Sequence, residues 1–145
     1  GHNIAGYERT TEAVRKMGGS RLIGIIGTPG DREDSAVKKI GFIAGKSFDR
    51  IIIKEDKDLR GRKPGEISQL LLSGVLSAGL PKSAASLIRK EEEALRHAMD
   101  HAIAGDIIVI FYEKLESLMK IINEETSKRV RVKERESSEI TLAKA

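Results

Sequence analysis

Two hydrophobic periods alternate along the chain. Ile4, Tyr7, Thr11, Val14 and Met17 recur at helical spacing; the helix they predict opens near Asn3, a good N-cap residue, and Gly18-Gly19 supply a stop. Leu22-Ile23-Gly24-Ile25-Ile26 is then a short, continuously apolar run, as expected of a strand buried on both faces. After the turn Gly27-Thr28-Pro29-Gly30 comes a helix with Asp31 or Asp34 as cap and Val37, Ile40, Ile43 and Ala44 on one face.

The cycle repeats. Phe48 to Ile53 carries a second strand, followed by the acidic run Glu55-Asp56-Lys57-Asp58 and a loop to Pro64, placed as a first helical residue. Ile67, Leu70, Leu71, Val75 and Ala78 form the next buried stripe, which Gly79 closes. A third strand is expected near Ser86–Ile88, a helix over Glu91–Ile103, a fourth strand over Ile107–Phe111, and a last helix carrying Leu115, Leu118, Met119 and Ile122. Arg129-Val130-Arg131-Val132-Lys133 alternates at period 2, which predicts a charge-protected edge strand, with a mobile tail beyond Glu134. Helices alternating with strands imply right-handed crossovers and a mainly parallel sheet covered on both faces. The expected fold is therefore α/β, a Rossmann-like three-layer sandwich over residues 1–128, with 129–145 as edge strand and tail.

Length and composition narrow the function classes. The 145 residues suit one domain, and the absence of cysteine excludes disulfides, thiolate catalysis and a thiolate zinc site. No apolar run approaches the about 18 residues of a membrane-spanning helix, and no signal peptide opens the chain, so a cytoplasmic domain without membrane contact is expected. The net charge of +4 is spread among interleaved acids, and aromatics make up only 3%, so no nucleic-acid partner is expected. The chain opens Gly1-His2-Asn3 without an initiator Met and reads as a piece of something longer.

Ligands of open parallel sheets sit at the carboxyl ends of the strands. That directs attention to the loops 27–34, 55–63, 89–91 and 112–114. Gly27-Thr28-Pro29-Gly30-Asp31-Arg32 lacks the lysine and hydroxyl of a P-loop and the spacing of a dinucleotide motif. It reads equally as a tight turn with a helix cap or as a site where Arg32 forks onto a carboxylate. Glu55, Asp56, Asp58 and Arg60 read either as a solvated loop or as acids for a cation beside an arginine for a carboxylate. Glu113 is a helix-start acid or a ligand contact. His97 and His101, spaced i and i+4, have no third ligand in view; they read as helix-end cations on a wet face, and no metal site is expected.

Five segments in order carry a resemblance over residues 1–125: Gly1-His2-Asn3 with Ala5-Gly6-Tyr7; Gly27-Thr28-Pro29-Gly30-Asp31-Arg32-Glu33-Asp34; Asp49-Arg50-Ile51-Ile52-Ile53-Lys54-Glu55-Asp56; Asp58-Leu59-Arg60-Gly61-Arg62-Lys63-Pro64-Gly65-Glu66; and Gly105-Asp106-Ile107-Ile108-Val109-Ile110-Phe111. Together they resemble the C-terminal domain of the Mur ligase superfamily, and within it the cyanophycin synthetase branch. The resemblance implies an ATP-dependent ligase that joins a carboxylate to an amine through an acyl phosphate. ATP and Mg would be bound mainly by a central domain, whose motifs do not occur here. This domain would receive the incoming amino acid, arginine in the cyanophycin branch, for transfer to the acyl-phosphate acceptor substrate. The resemblance also implies residue roles: His2 and Asn3 at the nucleotide, and Arg32, Arg60 and Glu113 at the amino acid. Asp56 and Asp58 join that set on physical grounds, because an arginine side chain needs a carboxylate partner. By the same resemblance no catalytic residue lies in these 145, and the isolated chain is expected to be inactive. The alternative from another class is a stand-alone, non-catalytic Rossmann-like module that binds a small anion or nucleotide.

Overall fold

A computed structural model describes residues 2–16, 21–131 and 139–144. Chain order gives α1 (His2–Lys16), β1 (Leu22–Ile26), α2 (Asp34–Ser47), β2 (Arg50–Ile53), α3 (Glu66–Ser77), a single 3-10 turn (Lys82–Ala84), β3 (Ala85–Leu87), α4 (Glu91–His101), β4 (Ile107–Tyr112), α5 (Leu115–Arg131) and β5 (Glu139–Lys144). Among the described residues the strands form one parallel sheet in the order β3-β2-β1-β4-β5.

The continuous apolar runs become the central strands because both their faces are covered. One face packs Ile26, Ile51, Ile53, Val109 and Phe111 under α1, α2 and α3. The other packs Ile23, Ile25, Ile52, Ile108 and Ile110 under α4 and α5. The result is the three-layer α/β sandwich that the alternation implies. On the first face, helices α2 and α3 cross at glycines. A Cβ on Gly74 would collide with the Lys38 carbonyl, and one on Gly41 with the Leu71 carbonyl, so backbone meets backbone at both points.

Several boundaries differ from the sequence reading. Helix α1 already includes His2 and Asn3, so Asn3 is not its cap; Met17 and the stop at Gly18-Gly19 lie outside the described residues. Glu33, not Asp31 or Asp34, is the N-cap position of α2. Pro64 stays in a turn and α3 begins at Glu66, because Gly65 at φ 87° reverses the chain first. Of the edge strand expected over Arg129–Lys133, residues 129–131 are the end of α5, and Val132 and Lys133 lie outside the described residues. Instead Glu139–Lys144, expected as mobile tail, pairs in parallel with β4 along its whole length. The segment Glu139-Ile140-Thr141-Leu142 also alternates at period 2, and its Ile140 and Leu142 pack on the α4–α5 face, which an Arg-Val-Arg-Val segment would do less well.

The crossing glycines yield opposite expectations from one kind of substitution. Gly74→Ala should lose about 2 kcal/mol through backbone overlap, more than the helix propensity it gains. In Gly6→Ala, where a Cβ meets nothing within 4 Å, up to about 1 kcal/mol should be gained. Urea unfolding of both variants beside the parent checks the contrast.

Candidate functional site

Strands β1 and β4 are neighbours whose connections leave in opposite directions across the sheet, which makes the gap between them the topological switch point. At that end the loops after β2, β3 and β4 enclose a cavity of about 220 Å³, lined among others by Glu55, Asp56, Leu59, Glu91 and Glu113. Its lining is mixed in charge, since Lys57, Arg89, Lys90 and Lys114 also border it, and the partners of its carboxylates divide them into two kinds.

Glu55 and Glu91 are committed to the scaffold. The Glu55 carboxylate accepts the Gly65 backbone N–H at 3.0 and 3.1 Å and the Ser68 hydroxyl at 3.3 Å, so it anchors the start of α3. Arg89 lies 3.4 Å away as its ion-pair partner. Glu91, at the start of α4, accepts the backbone N–H groups of Glu113 at 2.6 Å and Lys114 at 3.2 Å, and so caps the turn into α5. Beneath it the Lys54 side chain is only 1% exposed, with Nζ 3.0 Å from Glu91 and 3.7 Å from Asp56. Neither pair has hydrogen-bond alignment at Nζ, so the interaction is ionic.

Asp56 and Glu113 are less committed. Asp56 Oδ1 is buried and accepts no hydrogen bond from the described residues. Burial pushes the Asp56 carboxyl above its ordinary range, Lys54 opposes the shift, the Glu91 charge adds to it, and the Arg60 charge reduces it. Glu113 is exposed overall, yet loss of solvent around its carboxyl raises it too; Asp56 adds repulsion, while Lys54 and the Lys57 backbone N–H oppose. The two carboxyls therefore sense each other across one cavity.

The arginines of the sequence reading lie beside this cavity and do not line it. Arg60, at φ 49°, donates to Asp31 at 2.9 Å and pairs with Asp58 at 3.1 Å; its own N–H donates to Asp58 Oδ1. Asp58 is thus occupied by Arg60 on an exposed loop rather than presented to the cavity. Arg32 keeps a buried Nε without a hydrogen-bond partner among the described residues. The side chains of His2 and Asn3 lie outside the described part of the structure. No group of three or more His, Cys, Asp or Glu is gathered for a metal ion among the described residues.

Four residues escaped the sequence reading. Lys54 and Glu91 form the ionic floor of the cavity. Arg62 donates to the Gly30 carbonyl at 2.8 Å and the Arg32 carbonyl at 2.6 Å, and pairs with Asp34 at 2.8 Å and with Glu66, tying the β1–α2 loop to the β2–α3 loop. Gly30 permits this contact, since a Cβ there would strike the Leu59 carbonyl. Tyr7 stacks on Phe111 with ring centroids 3.8 Å apart; its hydroxyl donates to the Gly27 carbonyl at 2.7 Å and accepts the Gly27 N–H at 3.2 Å. Burial raises that phenol above its ordinary range. A lysine terminating an apolar strand was the available signal for Lys54. Glu91 was masked by its two acidic neighbours, which made the helix start look like dipole compensation alone.

The profile of the family described as "Mur ligase, glutamate ligase domain" matches residues 1–111. The chain belongs to that family. This Mur ligase domain is 42% identical over 122 residues to a cyanophycin synthetase of Crocosphaera subtropica, covering 84% of the chain and 14% of that protein. It is 40% identical over 121 residues to the cyanophycin synthetase of Synechocystis sp., covering 83% of the chain and 14% of that protein. A UDP-N-acetylmuramoyl-L-alanyl-D-glutamate–2,6-diaminopimelate ligase of Syntrophomonas wolfei is 33% identical over 109 residues, which are 75% of the chain and 22% of that protein. The Mur ligase domain thus spans about a seventh of the length of the cyanophycin synthetases it matches. No helix among its described residues is long and apolar enough to cross a membrane.

The two kinds of carboxylate differ in their expected response to substitution. Glu91→Ala leaves Lys54 buried with only the longer Asp56 contact and should cost about 3 kcal/mol, whereas Asp58→Asn should change stability by less than about 0.5 kcal/mol. Asp56 and Glu113 have raised folded-state values, so the folded state binds their protons more readily than the unfolded chain. Their charge is a cost at neutral pH that disappears as pH falls through the raised values. The parent should therefore gain stability relative to Asp56→Asn/Glu113→Gln between about pH 7 and pH 4, read by urea unfolding at each pH.

Proposed function

We propose that this Mur ligase domain receives the incoming amino acid in an ATP-dependent carboxylate–amine ligase of the cyanophycin synthetase kind, and that the amino acid is arginine. The supporting observation is the pair Asp56 and Glu113: two carboxyls at the strand ends, neither fully committed to the scaffold, in a cavity with room for a cationic side chain. A guanidinium there would give Asp56 Oδ1 a hydrogen-bond donor and offset the burial that raises both acids, together with the carboxylate repulsion that adds to it.

The other end of the ligand needs a cation. Arg32 has a buried Nε with no partner among the described residues, and the Arg60 guanidinium meets Asp31 and Asp58 in exposed ion pairs, which are weak and exchangeable. Both suit a carboxylate, with the fork of each guanidinium matching its two oxygens. Arginine held so presents its α-amine for attack on an acyl phosphate made from ATP and Mg in a separate central domain. On this reading His2 and Asn3 reach that nucleotide when the domains close, and the reaction takes place in the cytoplasm, where its substrates are.

Two measurements test the proposal. In the full-length ligase, Asp56→Asn and Glu113→Gln should each weaken arginine at least about tenfold by calorimetry, the loss of one charged hydrogen bond, while citrulline binds as before. Equal loss for both ligands would remove the case for a cationic side chain. The 145 residues alone should hydrolyse no ATP, since the groups that stabilise a transferring phosphoryl are not among them; measurable phosphate release would contradict the division of labour.

A further inference from the structure

At the opposite, amino end of the strands lies a second cavity of about 220 Å³ that the ligase reading does not use. It opens between α4 and the sheet. Its floor is apolar: Ile23 of β1, Ile52 of β2 and Ala98 of α4. It exists because Ser86, paired with Ile52 in register and on the same face, is too small to fill the space beneath α4 at the sheet's edge. Its rim is basic. Arg21 lines one side and Arg50 the other, with His97 and His101 above them, their rings stacked 4.1 Å apart.

The two arginines differ in what they can offer. Arg21 donates to both oxygens of Asp106, at 3.0 and 2.7 Å, so its charge is compensated. Asp49, the other acid near Arg21, accepts the Leu22 N–H at 2.8 Å. Arg50 lies two residues before Ile52 on the same strand face, is exposed, and forms no ion pair with any described residue. An uncompensated guanidinium fork beside a concave apolar floor matches a ligand with a carboxylate at one end and a short hydrocarbon body at the other. At the volume that water occupies, 220 Å³ holds about seven heavy atoms, the size of a four- to six-carbon acid.

We infer that this cavity is a binding site for a small aliphatic carboxylate, with the carboxylate on Arg50 and the carbon chain on Ile23, Ile52 and Ala98. It lies at the other end of the sheet from the cavity that holds Asp56 and Glu113, and among the described residues no carboxylate lines it. It therefore selects a different class of ligand and stands whether or not that other cavity takes arginine.

Methyl NMR of the full-length protein, labelled at isoleucine, provides local reporters. Butyrate should shift the Ile23 and Ile52 methyl signals saturably, leaving those of Ile26 and Ile53 on the other face unmoved. Butanol and butylamine should bind at least about tenfold more weakly, and so should butyrate to Arg50→Ser, each lacking the charged hydrogen bonds. Ser86→Leu, which fills the cavity and keeps Arg50, should abolish the shifts. Butyrate leaving both methyls unmoved, or binding Arg50→Ser or Ser86→Leu as well as the parent, would overturn the inference. Inorganic phosphate moving the same methyls as strongly as butyrate would overturn it too, because the apolar floor would then contribute nothing.

Discussion

One buried ammonium organises the ligand end of this domain. Lys54 leaves the end of an apolar strand and is nearly inaccessible to water, which is tolerable only because Glu91 and Asp56 stand close to it. Glu91 in turn holds the first N–H groups of the β4–α5 turn. Three segments that are far apart in sequence are thereby fixed around one charge. A hydrophobic residue at position 54 could fill the volume, but it would leave Glu91 and Asp56 as adjacent carboxylates in a poorly solvated place.

This geometry explains how a cavity bordered by five carboxylates can coexist with a stable fold. Each of Glu55 and Glu91 satisfies backbone donors at a helix start, so their charges are part of the scaffold. Asp56 and Glu113, less tied to the scaffold, are acids whose ionisation burial makes costly. Raised carboxyls in a cleft at the sheet's switch point are the usual mark of a place where a ligand completes the electrostatics.

Much of this was legible in the sequence. The runs 22–26, 50–53 and 107–111 read as buried strands because residues covered on both faces must be apolar on both. The parallel sheet brings the loops after its strands to one end, and Asp56 and Glu113, read there from the sequence, line one cavity. What escaped detection depends on partners distant in the chain. Nothing local distinguishes Glu91 from Glu92 and Glu93, and only the fold shows which of the three faces Lys54. Period-2 alternation was present at both 129–133 and 139–142, and the choice between them turned on apolar residues able to reach the core. Asp58 looked like a ligand for a cation and found one two residues away, in Arg60. His97 and His101 read as a wet helix end and are exposed at the end of α4; that they also rim a cavity with Arg21 and Arg50 depends on the small side chain at position 86, distant in the chain.

Tyr7 joins three elements at the ligand end of the sheet. Its hydroxyl engages both the donor and the acceptor of Gly27, the first residue of the loop that leads to Arg32, while its ring lies flat on Phe111 at the end of β4. Helix α1 therefore cannot shift without breaking two backbone satisfactions and one stacked contact at the switch point. The ring thus joins the first helix to the ends of both central strands, so the start of the loop after β1 is positioned by a residue twenty positions earlier in the chain.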